Sequence, residues 1–96
     1  MTSRPAVSGD TRIAEAFRSH GKSAALMPYL MGGFPSLEES RRIGLACADS
    51  GADLVELGVP FSDPLADGPV IHAAGTAALR EGATPGGVLE ICEALA

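Results

Sequence analysis

The sequence predicts a parallel α/β fold, and three observations predict it. Two short apolar runs, Ala24–Leu30 and Ala52–Val59, are each followed by a turn rich in glycine and proline; each turn leads into a helix; and one more helical pattern precedes the first run. Continuous apolar runs of this length suit strands covered on both faces, as parallel strands are. The resulting order is helix, strand, helix, strand, helix, helix: about two βα units plus an N-terminal helix. Two strands leave both sheet edges open, and the last helix is still running at Ala96 without a stop signal. The expected whole is therefore the N-terminal portion of a (β/α)8 barrel, a fold that takes about 250 residues.

Residues 1–10 read as a mobile leader and residues 11–96 as the barrel part. Asp10 or Thr11 is placed to cap the first helix, whose Ile13, Phe17 and intervening alanines form one apolar face ending near His20-Gly21. In the first strand Pro28 cannot donate to a ladder, so it is expected at an interruption or near the strand's end. Ser36 and Glu39 form a capping box for the second helix, which carries Ile43, Leu45, Ala46 and Cys47 and stops at Gly51. Pro69 suits the first position of the third helix, which runs through Arg80 and closes at Gly82. Thr84-Pro85 starts the fourth.

Composition narrows the function. The chain is 46% hydrophobic and 20% charged, as a globular domain is, with a net charge of -5 and only seven Lys plus Arg. No basic patch is available for nucleic acid or an anionic membrane, so a small molecule or another protein is the expected partner. Cys47 and Cys92 belong to no metal or redox spacing and read as buried free thiols. The first residues lack the apolar core of a signal peptide, and the longest apolar stretch is broken by Pro28 and two glycines, which points to a soluble cytoplasmic chain.

The chemistry concentrates in VELGVPFSDPLADGP, residues 55–69. Strand alternation puts Leu54, Glu56 and Gly58 on one face and Val55, Leu57 and Val59 on the other. The second face is wholly apolar, as contact with helices requires. The first carries Glu56 into the interior of a barrel, where an unpaired carboxylate is costly and burial would push it toward the neutral form. A group near the C-terminal end of a barrel strand stands where catalytic groups stand. The alternative for Glu56 is a structural ion pair. Asp67 ends the loop leaving the same strand end, so it can return toward Glu56, and two carboxylates in one pocket can divide acid, base and charge-stabilising roles. Asp63, between Ser62 and Pro64, has the setting of a local turn-forming residue.

These fifteen residues resemble the signature of the tryptophan synthase alpha chain family. MPYLMGGFPS is similar to that family's first strand and turn, and the resemblance continues through the Gly51-Ala-Asp strand entry and the Gly82 to Pro85 helix start, covering nearly everything from Ala24 on. It implies a TIM barrel that cleaves indole-3-glycerol phosphate to indole and glyceraldehyde 3-phosphate, an aldol cleavage in tryptophan biosynthesis without metal or bound cofactor. Glu56 matches the catalytic glutamate, which protonates indole C3 and helps remove the glycerol hydroxyl proton. Asp67 matches the catalytic aspartate, which holds the indole N–H and stabilises positive charge on the ring. Tyr29, where Phe is common, and Ile71 match substrate-binding positions around the indole; ordinary core packing is the alternative for both. Asp63 and Pro64 match a loop that meets the beta chain, the partner in an alpha2-beta2 complex that holds pyridoxal phosphate. The family's phosphate site and mobile lid lie in later βα loops, so these 96 residues alone are expected to be inactive.

Other readings are weaker or remain open. A Schiff-base aldolase needs a lysine at a strand's C-terminal end, and the only lysine, Lys22, precedes the first strand. A metal-dependent aldolase needs a ligand cluster, whereas His72 reads as a helix-surface or capping residue. Gly32-Gly33 reads as a tight turn more readily than as a phosphate cradle. Another phosphosugar-handling barrel using Glu56 as base, and a non-catalytic module that only docks on a beta chain, both remain open.

Overall fold

The computed structural model describes residues 8–62 and 66–96. Its elements follow the expected order: α1 Gly9–Arg18, β1 Tyr29–Met31, α2 Leu37–Asp49, β2 Glu56–Gly58, α3 Pro69–Arg80 and α4 Pro85–Leu95. β1 and β2 pair in parallel, with Tyr29 opposite Glu56, Leu30 opposite Leu57 and Met31 opposite Gly58. Among the described residues, no helix is long and apolar enough to cross a membrane.

Both strands are shorter than their apolar runs, for a reason visible in the backbone. The Leu26 carbonyl accepts from the Asp53 and Leu54 N–H groups, and the Pro28 carbonyl accepts from Glu56 N–H at 2.9 Å. Pro28 has no N–H to return, so regular pairing begins only at Tyr29. Leu26 N–H turns instead to the Asp53 carboxylate at 2.8 Å, and Lys22 Nζ donates to the same oxygen. The strand entries are thus joined by a side chain. The first run is also less covered than expected: Leu26 is 55% and Met27 45% exposed. With two strands described, nothing packs over these residues.

α1 begins at Gly9, with Ser8 at the N-cap position, so residues 9 and 10 belong to the helix and not to a leader. The Ser8 hydroxyl meets that of Thr11 and caps no backbone N–H. None of the α1 residues is buried. At α2, Ser36 Oγ accepts from Glu39 N–H at 3.1 Å, but the Glu39 carboxylate turns to Arg42, so only half of the capping box forms. Thr84 caps α4 through Gly87 N–H at 3.0 Å.

The core lies where α3 meets the end of β1: Met31, Ala78 and Ala83 are buried, with Leu37, Ile71 and Ala74 packed against them. α2 and α4 pack together separately, around the buried Gly44, Val88 and Ile91. Leu95 lies directly on Gly44, where a Cβ would come within 2.8 Å of its Cδ1. Cys92, expected inside, is exposed, and Cys47 is half-buried; both are free thiols. Cys92 lines an open groove of about 410 Å³ together with residues of α1, α2, α4 and the outer face of β2.

At Gly32 and Gly33 the β1–α2 turn has no room for a side chain. Gly33 has φ +89°, and a Cβ there would stand 2.5 Å from that of Ala83. Its N–H donates to the buried Ser40 Oγ at 3.1 Å. Gly82 has a similar φ of +88° but open space around it. Gly33→Ala is expected to destabilise the chain by about 1–3 kcal/mol and Gly82→Ala by less, by denaturant unfolding. Equal losses would remove the packing constraint at Gly33.

Asp53 offers a pH test. The Leu26 N–H and then the Lys22 ammonium hold its carboxyl below the ordinary value of 3.8. A depressed folded-state value contributes stability above the unfolded value of about 3.9, lost as pH falls through the folded one. Carboxyl NMR should place the Asp53 midpoint below 3.8, and Asp53→Asn should flatten the acid limb of stability. A midpoint at or above 3.8 would show that the two donors do not act on it.

Candidate functional site

Register places the candidate residues. Parallel partners project to the same face, so Tyr29 and Met31 of β1 share one face with Glu56 and Gly58 of β2. Met31 packs toward α3. On the other face, Val55 and Leu57 join Leu95, Cys92 and Ala48 in lining the outer groove, as the apolar half of the alternation requires.

Glu56 opens β2 and is exposed. The burial expected to push it toward neutrality is therefore not met: a two-stranded sheet sets no opposing strands across this face. Asp67 is likewise exposed, one residue before Gly68, the N-cap of α3. The positive end of that helix favours a negative group there. Pro69 takes the first helical position, where its missing N–H costs nothing.

The phenol of Tyr29 feels both carboxylates. Partial burial, then the charge of Asp67, then that of Glu56 raise its phenol above the ordinary 10.0. Both carboxylates thus act on one hydroxyl. The ring leans across β2 so far that a Cβ on Gly58 would collide with the phenol oxygen. Gly58 was not among the expected site residues; its signal is the general one, that a glycine inside a strand marks a close approach.

Ile71 is half-buried beside Met31 and Ala78, and it shares with Tyr29 a cavity of about 310 Å³ that Phe34 and Ile43 also line. Neither carboxylate lines that cavity. The charges of Asp67 and Glu56 thus reach the Tyr29 phenol, and Tyr29 and Ile71 share an apolar wall. Asp63 and Pro64 lie outside the described residues. Among the described residues, no three His, Cys, Asp or Glu side chains converge as metal ligands would. His72 is an exposed residue of α3, and the Gly32-Gly33 amides are taken by the Gly58 carbonyl and Ser40, as in a tight turn.

The family model described as tryptophan synthase alpha chain matches residues 16–96. The tryptophan synthase alpha chain of Prochlorococcus marinus (strain MIT 9313) is 57% identical over 67 residues, covering 70% of this chain and 24% of that protein. That of Halorhodospira halophila is 51% identical over 84 residues, covering 84% of this chain and 30% of that one. Among solved structures, the aminoacrylate-bound tryptophan synthase of M. tuberculosis superposes with TM-score 0.81 at 41% identity, over 86% of this chain and 35% of that chain. The Pyrococcus furiosus tryptophan synthase a2b2 complex superposes with TM-score 0.69 at 37% identity, over 74% of this chain and 30% of that chain. The chain thus spans about a quarter to a third of the length of the curated relatives it matches.

The chain has one tyrosine and no tryptophan, so its phenolate absorbance reports Tyr29 alone. That titration should have its midpoint above 10.0. A midpoint at or below that value would separate Tyr29 from the two carboxylates.

Proposed function

This chain belongs to the tryptophan synthase alpha chain family, and on that premise we propose that it carries the acid–base pair of a lyase that cleaves indole-3-glycerol phosphate to indole and glyceraldehyde 3-phosphate. The observation that carries the reading is that Tyr29 and Glu56 stand opposite each other in the paired strands, and that the charges of Asp67 and Glu56 both raise the Tyr29 phenol.

Glu56 delivers a proton to indole C3, converting the ring to an indolenine with positive charge at nitrogen. Asp67 accepts the N–H and balances that charge. The glycerol hydroxyl next to the bond then loses its proton to a carboxylate as its carbon becomes a carbonyl, and the electron pair of the breaking C–C bond returns to the ring. Indole and the aldehyde result, with no electron gained or lost overall. A general acid that must also act as base gains from a residue free to exchange protons, and Glu56, on an exposed strand end, is placed for that. Tyr29 and Ile71 form part of the apolar wall against which the indole ring lies.

The same reading takes acid–base chemistry without a bound cofactor as this chain's part. It assigns Asp63 and Pro64 to contact with a beta chain in an alpha2-beta2 complex, the beta chain holding the pyridoxal phosphate. The solved Pyrococcus furiosus relative is such an a2b2 complex. It places the protein in the cytoplasm, and it holds that these 96 residues alone do not turn over, the family's phosphate site being expected in later βα loops.

In a full-length alpha chain carrying this sequence, Glu56→Gln and Asp67→Asn should each lower kcat for indole release by about 100-fold or more. Full activity in Glu56→Gln would remove Glu56 from the chemistry, and indole release by the 96-residue chain alone would overturn its assigned inactivity.

A further inference from the structure

The turn that carries the chain from α1 toward β1 is closed by an imidazole. His20, half-buried just past the end of α1, accepts the Lys22 N–H at its Nδ1 at 2.9 Å. Gly21 between them has φ +71°, a left-handed geometry that glycine takes without strain. Lys22 then reaches across to Asp53, and the carboxylate oxygen that receives its ammonium also receives Leu26 N–H. One continuous set of bonds therefore runs from the end of α1 to the entries of both strands. α1 has little other hold on the molecule. None of its residues is buried, yet its Arg12, Ile13 and Ala16 form one wall of the outer groove that Leu57, Cys92 and Leu95 also line.

We infer that the His20-Gly21-Lys22 turn is a pH-sensitive latch, which keeps α1 seated along the outer groove while the His20 imidazole is neutral and releases it when the ring is protonated. Nδ1 accepts a hydrogen bond only through its lone pair, and in the imidazolium both ring nitrogens are donors. The bond from Lys22 N–H is thus present above the midpoint of the ring and lost below it. Imidazole is the side chain that ordinarily changes charge between about pH 5 and 8, where carboxylates and ammonium groups keep theirs. The charged groups that meet His20 from the strand entries are Asp53 and Lys22, of opposite sign. On α1 itself Glu15 is engaged by Arg18 and Ser19. Protonation therefore does two things at once. It removes the acceptor of the Lys22 N–H, and it sets a second cation in the field of the Asp53 carboxylate, which Lys22 otherwise holds.

Amide exchange followed by NMR tests this on the 96-residue chain. After correction for the intrinsic pH dependence of exchange, the Lys22 amide and the hydrogen-bonded amides of α1 should exchange roughly two- to tenfold faster at about pH 5 than at about pH 8, the worth of one hydrogen bond. Those of α2 should keep their corrected rates. His20→Asn, whose side-chain oxygen can accept from the backbone N–H two residues on at either pH, should remove the step and keep the slow rate. His20→Ala should show the fast rate at both. His20 lies outside the buried core, so these substitutions leave the packing of α2, α3 and α4 in place. Equal corrected rates at the two pH values in the unsubstituted chain would overturn the inference. So would a step that survives in His20→Asn, which would pass the effect to His72, the only other histidine. No readout involves turnover, so the outcome is independent of the lyase reading.

Discussion

The in-phase pairing of β1 and β2 decides on which side of the sheet Tyr29 and Glu56 stand. Because Tyr29 lies opposite Glu56 and Met31 opposite Gly58, one face collects the phenol, the carboxylate and the contact with α3. A slip of one residue would exchange that face for the apolar one, setting Glu56 among Leu95 and Cys92. The pairing is held at its lower end by Asp53, which ties Leu26 and Lys22 together, and at its upper end by Gly32 N–H on the Gly58 carbonyl at 2.8 Å. Three residues of regular strand on each side thus carry a longer, irregular seam.

Glycine sets how closely the layers approach that seam. Gly32 lies so near the Gly58 carbonyl and Val88 that a Cβ would stand 2.7 Å from each. Gly44 accepts Leu95, and Gly87 accepts Leu37. At these glycines a neighbour fills the place of the missing side chain, which helps a chain with only three phenylalanines and no tryptophan enclose a core built largely of alanine and small aliphatic residues.

Element order and helix ends were legible in the sequence because local chemistry makes them. Ser36, Thr84, Pro69, Gly51 and Gly82 act within one turn of where they stand, and each does what its type implies. Glu56 and Asp67 stood out as candidates for a similar reason: carboxylates in and after a strand contrast with apolar neighbours. The strand lengths were not. They depend on which partner takes the Leu26 N–H and on the donor Pro28 lacks, and both are settled across 27 or more residues of chain. Cys92 misled because a helical pattern says which residues share a face but not which face meets α2. The role of Gly58 was hidden because it depends on where the Tyr29 ring leans, which belongs to tertiary packing.

The bond from Gly33 to Ser40 has a consequence for how the chain is made. It spans seven residues and joins the end of β1 to the first turns of α2, so this closure is local in sequence. A growing chain that has released residue 40 already holds both partners, whereas the β1 ladder must wait for Glu56. On a ribosome, the first βα turn is therefore the part of this architecture able to take its final shape before the strand that completes the site has been synthesised.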